Sequence, residues 1–417
     1  MALLIELRKD ECINVEGPAI MEIVRGEGEI FGAPVREGDK ISVPPAKAIP
    51  YYAHSTSKIR IEGGKIASIL GYYVPRQWDL AVGEIASRKK PLKVMIIGDI
   101  DSGKSTLTAY LANRLYSMGF NVAIVDSDVG QSSIGPPTTI GLGIMKGHII
   151  TLEDVPLVNA FFLGNNTPAG LFHRMITGVF LMVQEALSYG TDIVLIDTTG
   201  WIRDAQGRNL KMHKIRVVNP DIVIVLEGAH GELSHIVRAA SLLTDVILMP
   251  KGMARPRSRG ERKKLREISY RKYLMGSRNV EISLNDVKVI DGPLLTGIMH
   301  VLKQNNREYY YEIDGNIIRV YASNTRLSKE VYSEIIRRQS PYSDLKVISK
   351  RDIRNLLIAM YDKRMKFLGI GIIQDVDFNK RILKVYTSVD KDKIKYVEIG
   401  WIKVNPTSFN EVGRYSL

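Results

Sequence analysis

The spacing of apolar positions along the chain changes twice. From Met1 to about Tyr73 they fall in short runs, such as Ile20-Met-Glu-Ile-Val, Gly28-Glu-Ile-Phe-Gly, Lys40-Ile-Ser-Val and Lys58-Ile-Arg-Ile, parted by turn formers. That pattern predicts short strands and a small β-rich module. Arg76 to Lys90 reads as a helical connector. From Pro91 onward, Ile-, Val- and Leu-rich runs alternate with longer amphipathic stretches, the rhythm of a parallel sheet covered by helices on both faces. The strands predicted there are Lys93–Gly98, Asn121–Asp126, Ala160–Gly164, Asp192–Asp197, Asp221–Glu227 and Asp245–Met249. Between them Leu171, Phe172, Met175, Ile176, Val179, Phe180, Met182 and Val183 recur at helical spacing up to Gly190, and they read as core. After about Asn285 short strands return, among them Arg381–Tyr386 and Lys393–Val404, with helices predicted near Ser328–Arg338 and Arg351–Met360. The expectation is an α/β protein in three parts: a β-rich domain over 1–78, a central domain over 79–288 and an α+β domain over 289–417.

The first predicted strand of the central domain runs directly into Gly98-Asp-Ile-Asp101-Ser102-Gly103-Lys104-Ser105-Thr106 and then into a helical pattern. This is a P-loop in its strand–loop–helix context, so the central domain is expected to be a P-loop NTPase domain. Its glycines allow backbone N–H groups and a helix N-terminus to converge on phosphate oxygens. Gly98, Asp101, Ser102, Gly103, Lys104, Ser105 and Thr106 are the expected nucleotide-binding residues, with Lys104 on the β and γ phosphates and Ser105 on Mg²⁺. The last strand ends in Met249-Pro-Lys-Gly, not in the Asn-Lys-x-Asp element that reads guanine, so ATP is the expected nucleotide.

Chemistry-bearing residues cluster at two further strand ends. Val125-Asp126-Ser-Asp128-Val-Gly130-Gln131 places two carboxylates where ligands bind in a doubly wound sheet, on a strand expected to neighbour the P-loop strand. Either can serve Mg²⁺ or an attacking hydroxyl, and Asp128 is favoured as the base because Gly130 permits close backbone approach. Asp197, at the end of Asp192–Asp197, occupies the place of a Walker-B carboxylate and leads into Thr198-Thr199-Gly200-Trp201. Ser105, Asp126 and Asp197 are therefore the expected metal ligands. Trp201 reads equally as buried packing or as a platform for a nucleobase.

Composition narrows the partners. The 417 residues are 45% hydrophobic and 25% charged, which suits folded domains rather than disorder. The net charge of +13 favours polyanions. Ten Lys or Arg fall in the segment from Lys251 to Lys272, just after the last predicted strand of the sheet. A solvated helix face is the ordinary reading of such a run. Its position also suits a lid that supplies arginines to a transferring phosphoryl group. A single cysteine excludes an internal disulfide, and no apolar run has the length of a membrane span, so a soluble intracellular or cytoplasmic protein is expected.

Taken together these elements resemble the polynucleotide 5′-hydroxyl kinases, whose eukaryotic members serve messenger-RNA 3′-end formation, tRNA splicing and ribosomal-RNA processing and which have simpler archaeal relatives. Four motifs carry the resemblance: Gly98–Thr106, Asp126–Gln131, Thr198–Trp201 and the lid pattern Arg257-Ser-Arg-Gly-Glu-Arg262, continuing through Arg266 and Arg271 to Tyr273. It implies an ATP-dependent kinase that phosphorylates the 5′-hydroxyl end of RNA or DNA, with Lys104, Asp128 and the lid arginines Arg257 and Arg262 catalytic. It also implies Gln131, Thr167 and a base-stacking Trp201 as substrate contacts, an N-terminal domain over the adenine, and RNA-processing proteins as partners. Phe162-Leu-Gly-Asn-Asn-Thr167-Pro168 is similar to the family's substrate-clasping turn but is followed by Leu171 where some members carry asparagine. The alternatives are a non-catalytic ATP-binding subunit and a P-loop motor ATPase. The joint presence of Lys104, Ser105, Asp128, Arg257 and Arg262 argues against the first, and the Arg-rich lid against the second.

Overall fold

The computed structural model describes residues 2–69, 71–228, 231–252, 256–304, 306–322, 327–338 and 344–415. They form two compact units, Met1–Phe161 with Pro168–Arg262, and Phe162–Thr167 with Lys263–Leu417.

In the first unit the N-terminal segment builds a seven-stranded antiparallel sheet around the long strand Cys12–Arg25. Side chains of Ala33–Arg36 and Lys40–Val43 alternate buried and exposed, so one face is turned inward, as period-two patterning demands. The connector folds as helix Arg76–Ser87, and its fully buried Trp78 lies 5.7 Å from the Tyr110 ring on the helix after the phosphate loop. One continuous core joins this sheet to the central one.

The central sheet has seven strands in the order Leu157–Phe162, Thr139–Ile144, Val122–Ser127, Ile193–Thr198, Leu92–Gly98, Ile222–Glu227, Asp245–Pro250. Its middle strands run parallel and are buried on both faces; Val94, Met95, Ile96 and Ile97 have no exposure. Two expectations are corrected. The strand bearing Asp126 is not next to the P-loop strand, because Ile193–Thr198 lies between them. The sheet also has an antiparallel member, Thr139–Ile144, paired with Val122–Ser127. Its Thr-Ile-Gly-Leu-Gly-Ile sequence escapes a pattern search because Gly141 and Gly143 dilute the apolar run, yet both glycines are needed where neighbouring backbone and side chains press on the strand.

The second unit holds a seven-stranded sheet and a separate four-stranded sheet. The helix Lys329–Arg338 is present as expected and buries Val331 and Ile335 with the strands Leu302, Tyr311, Ile318 and Val320 belong to. The helix expected over Arg351–Met360 is a correction: only Lys350–Ile353 is helical, and Leu356–Tyr361 is a fully buried strand. Arg354 leaves the helical region at ψ 140°, Asn355 turns the chain in the left-handed region (φ 71°), and Leu-Leu-Ile-Ala-Met-Tyr is apolar on both faces of a pleat. Among the described residues no helix is long and apolar enough to cross a membrane.

Candidate active site at the phosphate loop

The phosphate loop leaves the sheet at Gly98 and enters the helix Lys104–Ser117 through Gly103, whose φ of 91° no side chain adopts easily. Lys104 is 6% exposed, and its Nζ donates to Asp99 O at 2.6 Å, which holds the amine within the loop. Ser105 Oγ donates to Asp197 Oδ2 at 2.5 Å, so the strand Ile193–Thr198 closes the loop from its side. Asp197 is 1% exposed, and its Oδ1 has no hydrogen-bond donor among the described residues. A buried carboxylate oxygen left in this way fits a divalent cation shared with Ser105. No group of three or more His, Cys, Asp or Glu among the described residues is placed to hold a metal.

Asp126 and Asp197 lie side by side in register at the ends of adjacent parallel strands. Burial raises both carboxyls above their ordinary range, and for Asp126 the Asp197 charge raises it further. Their bonding differs. Asp126 Oδ1 accepts Asp128 N–H at 3.0 Å, and Oδ2 accepts Ser133 and Ile134 N–H at 2.6 and 3.0 Å. It therefore folds the loop that presents Asp128, which is half-buried and accepts Gly130 N–H at 3.2 Å.

Two lysines absent from the sequence expectations complete the floor. Helix Ala205–Val218 buries Gly207, Leu210, Lys211, Lys214, Ile215 and Val218, so the lysines occupy apolar-face positions; that periodicity was the signal available in the sequence. Lys211 Nζ donates to Thr199 O and Oγ1, the latter at 2.9 Å, and Lys214 Nζ to Ser127 Oγ at 3.1 Å. Ser127 Oγ in turn donates to Asp197 O at 2.7 Å. Burial lowers both amines, Lys214 to about 7, and the charges of Lys214 and Lys104 lower Lys211 further; Asp128 and Asp197 oppose both shifts, and Asp126 opposes that of Lys214. Buried Lys104, Lys211 and Lys214 thus share the site with buried Asp126 and Asp197 and half-buried Asp128.

The turn after Asp197 packs on the loop: a Cβ at Gly200 would meet Ile100 Cα at 2.6 Å. Trp201 beyond it is part-exposed, not core. Its Nε1 donates to Asp204 Oδ2 at 2.7 Å and its ring meets Phe172 edge-on at 5.7 Å. Arg257 and Arg262, the arginines expected of a lid, both reach Asp101, which stands at φ 53° in the loop. Asp101 Oδ2 accepts Arg257 N–H at 3.0 Å and an Arg262 guanidinium N–H at 2.8 Å. Arg257 Nε donates to Ala46 O at 3.0 Å, and Gln131 Nε2 to Arg262 O at 3.2 Å. The structure thus brings Lys104, Ser105, Asp128, Gln131, Asp197, Trp201, Arg257 and Arg262 into the first unit, while Thr167 belongs to the second.

A polyribonucleotide 5′-hydroxyl-kinase of Pyrococcus abyssi is 35% identical over 350 residues, 79% of this chain and 93% of that protein. The chain belongs to the polyribonucleotide 5′-hydroxyl-kinase family. A member from Methanocaldococcus jannaschii is 32% identical over 78% of the chain, and the Xenopus tropicalis polyribonucleotide 5′-hydroxyl-kinase Clp1 is 27% identical over 66%. The family model for the P-loop of mRNA cleavage and polyadenylation factor CLP1 matches residues 98–276, which contain all four motifs. The same fold is seen in Clp1p solved with Pcf11p, with a TM-score of 0.67 over 97% of this chain and 98% of that one at 14% identity.

Proposed function

We propose that this protein transfers the γ-phosphate of ATP to the 5′-hydroxyl end of RNA, the activity its relatives' names state. The observation that carries the reading is the meeting of lid and loop: Arg257 and Arg262 are fastened to Asp101 in the phosphate loop that also holds Lys104. Each arginine keeps guanidinium N–H donors beyond the contacts described. In the reaction the 5′-oxygen bonds to the γ-phosphorus, the bond to the β,γ-bridging oxygen breaks, ADP leaves, and the hydroxyl proton passes to Asp128.

Lys104 neutralises β and γ oxygens, and the two lid arginines meet charge that develops as the phosphoryl group departs. Mg²⁺ held by Ser105 and Asp197 would neutralise phosphate charge further. Asp126 is assigned to shaping the Asp128 loop, since backbone N–H groups already engage both its oxygens. Gln131 braces the lid through Arg262, and Trp201 offers a half-exposed indole to a base near the 5′ end. Thr167 is proposed as a further substrate contact from the clasp-like turn. Partners of RNA-processing type are proposed by analogy with Clp1p, solved with Pcf11p.

Transfer of label from γ-labelled ATP to a 5′-hydroxyl oligoribonucleotide tests this reading. An oligonucleotide already bearing a 5′-phosphate must stay unlabelled.

A further inference from the structure

Almost all of the net positive charge lies outside the phosphate-loop unit. Residues 263–417 hold 29 of the 58 Lys and Arg but 18 of the 45 Asp and Glu, net +11 of the chain's +13. A polyanion is therefore attracted mainly to the second unit.

That unit has a groove of about 520 Å³, lined by Met275, Asn279, Gln374, Tyr386, Thr407 and Phe409 among others, with no acidic residue in its lining. Asn279 and Tyr386 are direct cross-strand partners, so both side chains stand on one face of the sheet. Phe409 comes from a loop that is already braced: Asn405 Oδ1 accepts Thr407 and Ser408 N–H at 2.9 and 3.0 Å, and Asn405 O accepts Phe409 N–H at 2.8 Å. The Phe409 and Tyr386 rings are 6.5 Å apart, inclined at 38°, and the exposed Arg271 guanidinium lies 5.9 Å over the Phe409 ring. Flat aromatic faces, amides at the edge and an adjoining arginine are what an unstacked base and its phosphate require. A small anion would have no use for the rings, and an apolar side chain none for the amides and the cation.

The geometry points to a nucleobase subsite here. It takes a base of the acceptor strand other than the 5′-terminal one, with the ring against Tyr386 and Phe409, its edge on Asn279 and Gln374, and a flanking phosphate on Arg271. This rests on the polynucleotide-kinase reading.

The test uses the full chain and 5′-hydroxyl oligoribonucleotides from two to about twenty nucleotides. Asn279→Asp with Gln374→Glu sets two carboxylates at the edge of the groove, outside both the phosphate-loop site and the Lys251–Lys272 segment. The double variant should raise KM for the long acceptors by about tenfold or more and leave kcat, and KM for the dinucleotide, unchanged. Equal KM at every length overturns the subsite, as does an equal rise for the dinucleotide. If the wild-type protein labels no acceptor, the kinase reading has failed instead. The groove is then judged by photocrosslinking a 4-thiouridine oligonucleotide: adducts on Tyr386 or Phe409 support it, and adducts only elsewhere overturn it.

Discussion

Replacing Lys214 with methionine keeps the length of the side chain and removes a buried amine from beneath the active-site carboxylates. In the folded protein burial holds this amine at about 7, against 10.5 for a free lysine. The unfolded chain therefore binds more protons than the folded one between those values, and stability rises with pH across that window. At pH 7 keeping the lysine in the site costs about 4 kcal/mol on this arithmetic, and the hydrogen bond to Ser127 returns about 1 kcal/mol. Lys214→Met should then be more stable than the wild type by about 3 kcal/mol at pH 7. For a unit of this size that raises Tm by roughly 6–12 °C. By pH 9 the cost in the wild type falls to about 2 kcal/mol, so the gap should narrow to about 1 kcal/mol. Calorimetry of both proteins at matched ionic strength from pH 7 to 9 reads the difference directly. A variant that melts below the wild type at pH 7, with a gap that does not shrink as pH rises, would show an ammonium paired with Asp126, Asp128 and Asp197 and exclude an amine lowered by burial.

Asp128→Asn should lower kcat by roughly a hundredfold or more with ATP affinity little changed, measured by single-turnover transfer and nucleotide titration. Asp126→Asn should act mainly by loosening the loop, so proteolysis or hydrogen exchange at Ser133 and Ile134 should report it along with a lower Tm. Arg262→Lys should restore little of the kcat lost in Arg262→Ala, because one ammonium cannot both hold Asp101 and present a planar fork to phosphate. Trp201→Ala should weaken oligonucleotide binding by about 1–3 kcal/mol, read as KM, with a modest change in Tm, since the indole is half-exposed rather than core.

The strands and helices of the central sheet were legible because each is a long run of one period, as Ile222–Glu227 and Phe172–Ser188 show. The phosphate loop was legible because its spacing is itself the chemistry. Thr139–Ile144 was not, since Ile140, Leu142 and Ile144 alternate with Gly141 and Gly143, and glycine reads as a turn former rather than as part of a strand. Leu356–Tyr361 was misread because a continuous apolar run suits a buried helix as well as a buried strand, and only the sheet around it decides. At the site, the carboxylates could be listed from sequence and Asp128 favoured as the base, but the bonding that separates them could not: Asp126 and Asp128 are two residues apart and differ through backbone N–H groups that fold back from Ser133 and Ile134. Lys211 and Lys214 were passed over because lysine on a helix is ordinarily solvent-facing, and only the neighbouring Leu210, Ile215 and Val218 mark these two as inward.

Every role proposed for the phosphate loop and the Arg257–Arg262 segment depends on delivery of a phosphoryl group to a 5′-hydroxyl. Incubation with γ-labelled ATP, Mg²⁺ and matched 5′-hydroxyl and 5′-phosphate oligoribonucleotides tests it most directly. Label should appear only on the 5′-hydroxyl strand, be removable by phosphatase and be absent with Lys104→Ala. ATP turnover that leaves the 5′-hydroxyl strand unlabelled, or transfer undiminished in Lys104→Ala, would contradict it.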